Sequence, residues 1–352
     1  MNGYASAKRL GQALLLFYST ARLSLTEGNV VMRLSEALEI FYLSMDGVVS
    51  PATIKFYENR LPSLIKHLGD KEISEVSLDD LRLWRSKLSK REVKYEGHKY
   101  HPEVQGKLSP YTIRMYVKCA RRFFKWLEED GKLDHNPAIR LKMPPKPDLP
   151  RKGISKTDLF KIIAAAEESC VRDLAIVLFL ADTGCRVGGL ANLKIENIDL
   201  QNNRAIVFEK GKGGNAKKRV VFYGSKTAYA LSRLLTQRPS DNEISKDAIE
   251  YLLLGLRKSK GYYQKLSENG IYQIVKRLAK QWGIEEGFNP HNFRHGAIRG
   301  WLSNGMPLSL ASQLAGHSSV TVTADIYGTA NEEELARAHK NYTWMEQKSL
   351  LD

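Results

Sequence analysis

Cysteine is nearly absent from this chain. Cys119, Cys170 and Cys185 are its only three, and they lie far apart. That excludes a disulfide framework and a thiolate-rich zinc module, and it suits a reducing compartment. Long apolar runs are absent too. Leu174 to Ala181 is among the longest, far short of the roughly 20 residues that cross a bilayer. There is no internal repeat. His98 and His101 are too isolated to suggest a metal site. Acidic residues are in deficit: 39 Asp and Glu stand against 54 Lys and Arg, a net charge of +15. Residues 1–150 hold 25 basic and 18 acidic groups and the remainder hold 29 and 21, so the excess is +7 and +8 and forms no basic tail. A polyanion lying along both halves fits that distribution, with nucleic acid the obvious candidate, and so does a merely basic protein.

At 352 residues the chain is too long for one typical domain and suits two, and its 43% apolar content gives each half material for a core. Near the start, Lys8 and Arg9 precede Ala13 to Phe17. The pattern faintly resembles a secretory signal, but the run is short and no cleavage site follows, so a first helix packed on the body is expected. Helical apolar spacing covers 33–48. Ser50-Pro51 opens a second helix, with Leu61, Leu64, Ile65 and Leu68 on its apolar face and Gly69 at its end. Ser77 caps a third, with Asp79 and Asp80 in its first turn, where carboxylates oppose the dipole favourably.

Ser109-Pro110 opens the fourth helix. Ile113, Tyr116, Val117, Ala120, Phe124 and Leu127 make one buried stripe. Arg114, Lys118, Arg121 and Lys125 make a second, wholly basic one, which reads as a face laid on phosphates or into a major groove. Lys90 to Lys107, rich in Lys, Tyr, His and Gly, reads as a basic loop.

Proline marks the boundary: Pro144, Pro145, Pro147 and Pro150 make a semi-rigid connector, placed at 144–153. Beyond it Ser155 and Asp158 form a capping pattern, followed by a strongly apolar helix over 171–183 ending in Thr183-Gly184-Cys185-Arg186. Three short strands are expected near 195–199, 204–209 and 217–222. The turn between the last two is Lys210-Gly211-Lys212-Gly213-Gly214, where glycine permits positive φ and close approach of the backbone. From Asp247 onward the pattern reads as helical.

Four pieces fall in order: Thr183-Gly184-Cys185-Arg186, Gly211-Lys212-Gly213, His291-Asn292-Phe293-Arg294, and Ala315-Gly316-His317 with Tyr327 ten residues later. Together they resemble the tyrosine recombinase family, the integrases and Xer-type site-specific recombinases. The resemblance covers about 155–345 and extends more loosely over 33–145. It implies a mainly α two-domain fold. A helical SAM-like core-binding domain over 33–143 is joined by the linker to an α-rich catalytic domain over 154–330 with a small three-stranded antiparallel sheet. An N-terminal extension (1–32) and a C-terminal helix or tail for protomer contact (331–352) flank them.

The resemblance implies roles as well. Arg186 and Arg294 match the two catalytic arginines, Lys212 the lysine of the strand turn, His291 the first residue of the H-x-x-R motif, His317 the histidine of the Gly-His segment, and Tyr327 the nucleophile. The chemistry of these side chains agrees. Two guanidiniums suit a phosphodiester whose charge grows in the transition state, without a metal. A phenol of pKa near 10 must lose its proton to attack, and His291 is the candidate base. Lys212 suits the acid that protonates the leaving oxygen, and His317 a donor to a phosphate oxygen. The implied partners are double-stranded DNA carrying a specific site and a homotetramer on DNA, with a dimer per site. No cofactor, metal or membrane is implied, and the place of action is the cytoplasm, with the nucleoid. A non-catalytic DNA-binding regulator on this scaffold and a type IB topoisomerase are the rival readings. One position departs from the family: the acidic residue usual three places after the first arginine is here Gly189, beside Gly188.

Overall fold

The computed structural model describes residues 32–94, 102–146, 153–211, 216–284, 288–317, 319–327 and 336, without the side chains of 325–327. The readings made above for 1–31, His98, His101, 147–152, Lys212 and nearly all of 331–352 lie outside the described residues. The chain divides into two compact units, Met1–Leu149 and Pro150–Asp352.

The first unit contains helices α1 (Leu34–Ser44), α2 (Pro51–Glu58), α3 (Pro62–Leu68), α4 (Leu78–Lys90) and α5 (Pro110–Glu129). The helix expected from Ser50 to Gly69 is two helices. Pro62 has no N–H to continue the ladder, so α2 ends at Glu58 and α3 starts at the proline itself. Ser77 caps α4 in a reciprocal box: its Oγ accepts from Asp80 N at 3.1 Å, and its own N–H donates to Asp80 Oδ2 at 3.0 Å. Ser109 Oγ likewise accepts from Thr112 N at 3.1 Å, with Pro110 in the first turn of α5. The apolar stripe of α5 is buried except for half-buried Tyr116, and it is wider than its spacing indicates, because Cys119, Phe123 and Trp126 are buried as well. Phe123 meets Phe41 of α1 edge to face at 5.4 Å, and Trp84 of α4 closes the same core. The segment 90–107 is not all loop: β1 (Val93–Lys94) pairs with β2 (Val104–Gln105).

The basic face of α5 is partly committed within its own unit. Arg114 donates to Pro144 O and Arg121 Nη1 to Leu141 O at 3.5 Å, while Lys125 pairs with Glu129 at 3.1 Å. Lys118 is exposed. The wholly basic stripe thus has an acidic partner, Glu129, one turn beyond its end.

The second unit contains α6 (Lys156–Ser169), α7 (Val171–Thr183), α8 (Val187–Ala191), α9 (Ser225–Thr236), α10 (Glu268–Gln281), α11 (Pro290–Ser303), α12 (Leu308–Ala315) and α13 (Val320–Tyr327). Apolar on most sides, α7 packs against α6, α9 and α11, with Ile176, Phe179 and Leu180 fully buried. A sheet of order β3-β4-β5 (Ile198–Asp199, Arg204–Lys210, Ala216–Phe222) lies beside it, antiparallel throughout, with Val207 opposite Arg219 and Glu209 opposite Lys217. The first expected strand is mostly a 3-10 turn over Ile195–Asn197. The helical reading beyond Asp247 misses a hairpin. Strands β6 (Leu254–Ser259) and β7 (Tyr262–Lys265) turn at Lys260-Gly261, both with positive φ, and only Leu254 of β6 is buried, which leaves little apolar signal in the sequence.

Phe123→Ala is expected to destabilise the first unit by about 3–5 kcal/mol, whereas Leu83→Ala, at an exposed site, should change it by no more than about 0.5 kcal/mol. Denaturant titration of both variants, compared with the parent, measures this.

Candidate active site

The site forms where helix ends meet. Thr183 closes α7: its Oγ1 donates to Phe179 O at 2.6 Å and accepts from Cys185 N at 3.2 Å. Gly184 follows with φ 56°, and a Cβ there would fall 3.2 Å from both Ala297 Cβ and Trp301 Cη2. Only glycine makes that turn without strain or crowding. Cys185 is buried, and burial pushes its thiol up to about 11, so it is no nucleophile. The chain then presents Arg186, in extended backbone, as the residue before the first turn of α8.

Helix α11 begins with Asn289 as its cap. Asn289 Oδ1 accepts from His291 N at 3.0 Å, while Asn289 N donates to Asn292 Oδ1 at 2.9 Å. This fixes exposed His291 in the first turn, edge-on to Tyr272 at 6.5 Å. Arg294 lies nearly one turn further on and is 5% exposed. Its Nη1 donates to Gly184 O at 2.8 Å and its Nη2 to Ala315 O. These carbonyls sit at the C-terminal ends of α7 and α12, where the helix dipoles favour a cation. Arg294 therefore ties the turn that carries Arg186 to the turn that carries His317.

Gly316 ends α12 with φ 67°, and a Cβ there would fall 2.6 Å from Arg219 Cδ. The next residue, half-buried His317, donates its backbone N–H to Ser312 O at 3.1 Å. Its Nδ1 lies 2.7 Å from the hydroxyl of fully buried Thr323 on α13. Burial first, then the charges of Arg294, Arg186 and Arg219, hold its pKa down to about 4. His317 is thus neutral at physiological pH. Where the Thr323 hydroxyl donates to Nδ1, Nε2 carries the proton and is a donor. Tyr327 is the last residue of α13, one turn beyond Thr323, and its side chain lies outside the described residues.

Two residues that the motifs do not include complete the arrangement. Glu209 of β4 is 4% exposed. It accepts from Arg186 N at 2.7 Å, from Arg186 Nη1 at 2.6 Å and from Arg219 Nη2 at 2.6 Å. Burial raises its pKa, but Arg219, the Arg186 backbone N–H and the Arg186 charge outweigh it, so the carboxyl is held below its ordinary value. Arg219 also donates to Leu314 O, beside the Gly-His turn. A period-two reading exposes the pair in sequence. Ala205, Val207 and Glu209 alternate inward on β4, as Arg219 and Val221 do on β5. An acid and a base on the buried face of one hairpin are the signal.

The structure therefore gathers Arg186, Arg294 and His317, sets His291 on the helix of Arg294, and brings the helix of Tyr327 onto His317 through Thr323. Lys212 lies outside the described residues. Arg114, Lys118, Arg121 and Lys125 belong to the other unit. Among the described residues no cluster of three His, Cys, Asp or Glu side chains is placed to hold a metal.

The histidine titration offers a direct check. His317 should titrate near pH 4 in NMR spectra of its ring, and Arg186→Ala should move its midpoint upward toward 6.5, because one of the charges that lowers it is gone. With the folded value below the ordinary one, His317 supports folding fully above about pH 6.5 and progressively less as pH falls toward 4. A midpoint unmoved by Arg186→Ala would separate the two side chains electrostatically.

The phage integrase family model matches residues 152–334. The chain is similar to tyrosine recombinase XerD of Listeria monocytogenes, 27% identical over 306 residues that cover 86% of this chain and 96% of that one. It is also similar to tyrosine recombinase XerA of Saccharolobus solfataricus, 27% identical over 275 residues, 77% of this chain and 80% of the other. Among solved structures, the Tn1549 transposon integrase in complex with circular intermediate DNA matches with a TM-score of 0.64 at 20% identity, over 88% of this chain and 99% of that chain. A lambda integrase dimer bound to a COC' core site matches with 0.63 at 16%, over 83% and 97%. These two share the fold. With a match spanning more than half of its length and the ordered motifs inside it, the chain belongs to the phage integrase family of tyrosine recombinases.

Proposed function

We propose that the protein is a site-specific DNA recombinase that cuts and rejoins duplex DNA through a 3′-phosphotyrosine and a Holliday junction, and that it integrates and excises a mobile element. The observation that carries this reading is the meeting of Arg186, Arg294 and neutral His317 at the root of the helix ending in Tyr327. Xer relatives matched over 86% of the chain support site-specific recombination, and the mobile-element role accords with the transposon and phage integrases whose fold it shares.

In the proposed step the Tyr327 hydroxyl attacks the scissile phosphorus and its proton passes to His291. The bond from phosphorus to the 5′-oxygen breaks, and that oxygen leaves with a proton from Lys212. Arg186 and His317 hold the non-bridging oxygens, while buried Arg294 supplies fixed positive charge behind them. The phosphotyrosine keeps the bond energy, so a 5′-hydroxyl from the partner strand reseals the DNA without ATP. Four protomers, two per site, would exchange strands in pairs. The four basic residues of α5 are proposed to meet the duplex, Lys118 most directly, and the net charge of +15 makes binding fall steeply with salt.

The test uses duplex fragments from the DNA flanking the gene itself, nicked near the candidate crossover so that cleavage is trapped. Wild-type protein should form an adduct that survives denaturation. Tyr327→Phe should lose it and retain binding. An adduct that persists in Tyr327→Phe places the nucleophile elsewhere, and DNA relaxation without site preference would favour a topoisomerase.

A further inference from the structure

Of the three arginines around His317, Arg186 is the accessible one: its side chain is 35% exposed, against 6% for Arg219, and Arg294 is buried. A long side chain at a partly open position has many rotamers, and only a fixed one presents its fork to a phosphate. Glu209 supplies the fixing. It grips Arg186 at both ends, through the backbone N–H at 2.7 Å and through Nη1 at 2.6 Å. The same carboxylate is anchored from behind by Arg219, which reaches on to Leu314 O. One carboxylate between two guanidiniums leaves the group with a net positive charge for an anionic ligand.

The room for this carboxylate comes from Gly189. A Cβ on Gly189 would lie 3.1 Å from Glu209 Cγ, 3.4 Å from its Oε1 and 3.4 Å from Val207 Cβ. Gly189 is absent from the positive-φ positions, so its backbone does not call for glycine and the space does. Its neighbour Gly188 faces the other way, with a Cβ that would fall 2.8 Å from Glu268 Oε1. A side chain at 189 and the carboxylate of 209 therefore compete for one volume beside Arg186.

We propose that Glu209 is the positioning residue of Arg186, that Gly189 is glycine to admit it, and that a carboxylate can occupy this place from 209 or from 189 but not from both. The inference rests on Arg186 as a phosphate-binding residue.

The experiment measures single-turnover adduct formation on the trapped duplex, together with DNA affinity and Tm, for Glu209→Gln, Glu209→Ala, Gly189→Ala and the double variant Gly189→Asp/Glu209→Ala. Glu209→Gln keeps the shape and loses the charge. It should slow cleavage about 10-fold to 100-fold, as a misplaced reacting partner does, with affinity little changed. Gly189→Ala, whose Cβ would press on Glu209 Cγ at 3.1 Å, should slow cleavage several-fold and lower Tm while DNA affinity is retained; a purely structural defect would weaken affinity as well. The double variant should cleave faster than Glu209→Ala alone. Cleavage by Glu209→Gln at the wild-type rate overturns the inference, as does a double variant no faster than Glu209→Ala. Should Glu209→Gln not fold, Gly189→Ala decides: a wild-type rate rejects the inference, as does a loss of DNA affinity in step with the rate, and a slowed rate at retained DNA affinity supports it. A wild-type protein that forms no adduct fails the functional reading itself, and this inference with it.

Discussion

The carboxylate of Glu209 lies between the guanidiniums of Arg186 and Arg219, and the candidate site depends on that buried interaction. Removing one member of a buried ion group typically costs about 3–5 kcal/mol, because the remaining charge stays desolvated without its partner. Here the same bonds that satisfy the charges also connect three segments: the turn after α7, the β4-β5 hairpin and the end of α12. Arg294 makes a second set of ties, from Gly184 O to Ala315 O. Together the two arginines inside the protein hold the two turns that display Arg186 and His317. The positive potential at the site is thus built into the fold, and it adds to burial, the larger cause, in keeping His317 neutral.

Helix ends supply most of this geometry. Gly184 and Gly316 both take left-handed backbone at C-terminal caps, and each is crowded by a neighbouring side chain, Trp301 in one case and Arg219 in the other. The carbonyls that such ends leave over are the acceptors Arg294 uses. Thr323, fully buried, joins His317 to α13. A threonine there does what an apolar residue would not, since it packs and hydrogen-bonds at once. The helix that ends in Tyr327 is set by the same histidine that is proposed to meet the phosphate.

Much of this was legible in the sequence, for physical reasons that differ by element. Caps announce themselves locally, so Ser77, Ser109 and Ser155 mark the starts of α4, α5 and α6 correctly. The buried stripe of α5 and the apolar run of α7 carry strong periodic signals. The ordered motifs identify the family. The failures are as specific. Pro62 splits a helix whose apolar spacing runs straight through it. The β6-β7 hairpin buries almost nothing on β6, so it has no alternation to read. The basic stripe of α5 looks free because its partners are backbone carbonyls at 141 and 144 and a glutamate one turn on. Glu209 belongs to no motif: Arg186 lies 23 residues before it in sequence, and the motif position expected to carry an acid holds Gly189. Once β4 and β5 are paired, the inward acid and base are plain.

The central claim is that Tyr327 carries the covalent link to DNA. The most direct measurement is mass spectrometry of the protease-digested adduct trapped on the flanking DNA. The account predicts one modified peptide, with a 3′-phosphorylated nucleotide on Tyr327. A nucleotide on any other tyrosine, or a 5′ linkage, would contradict it.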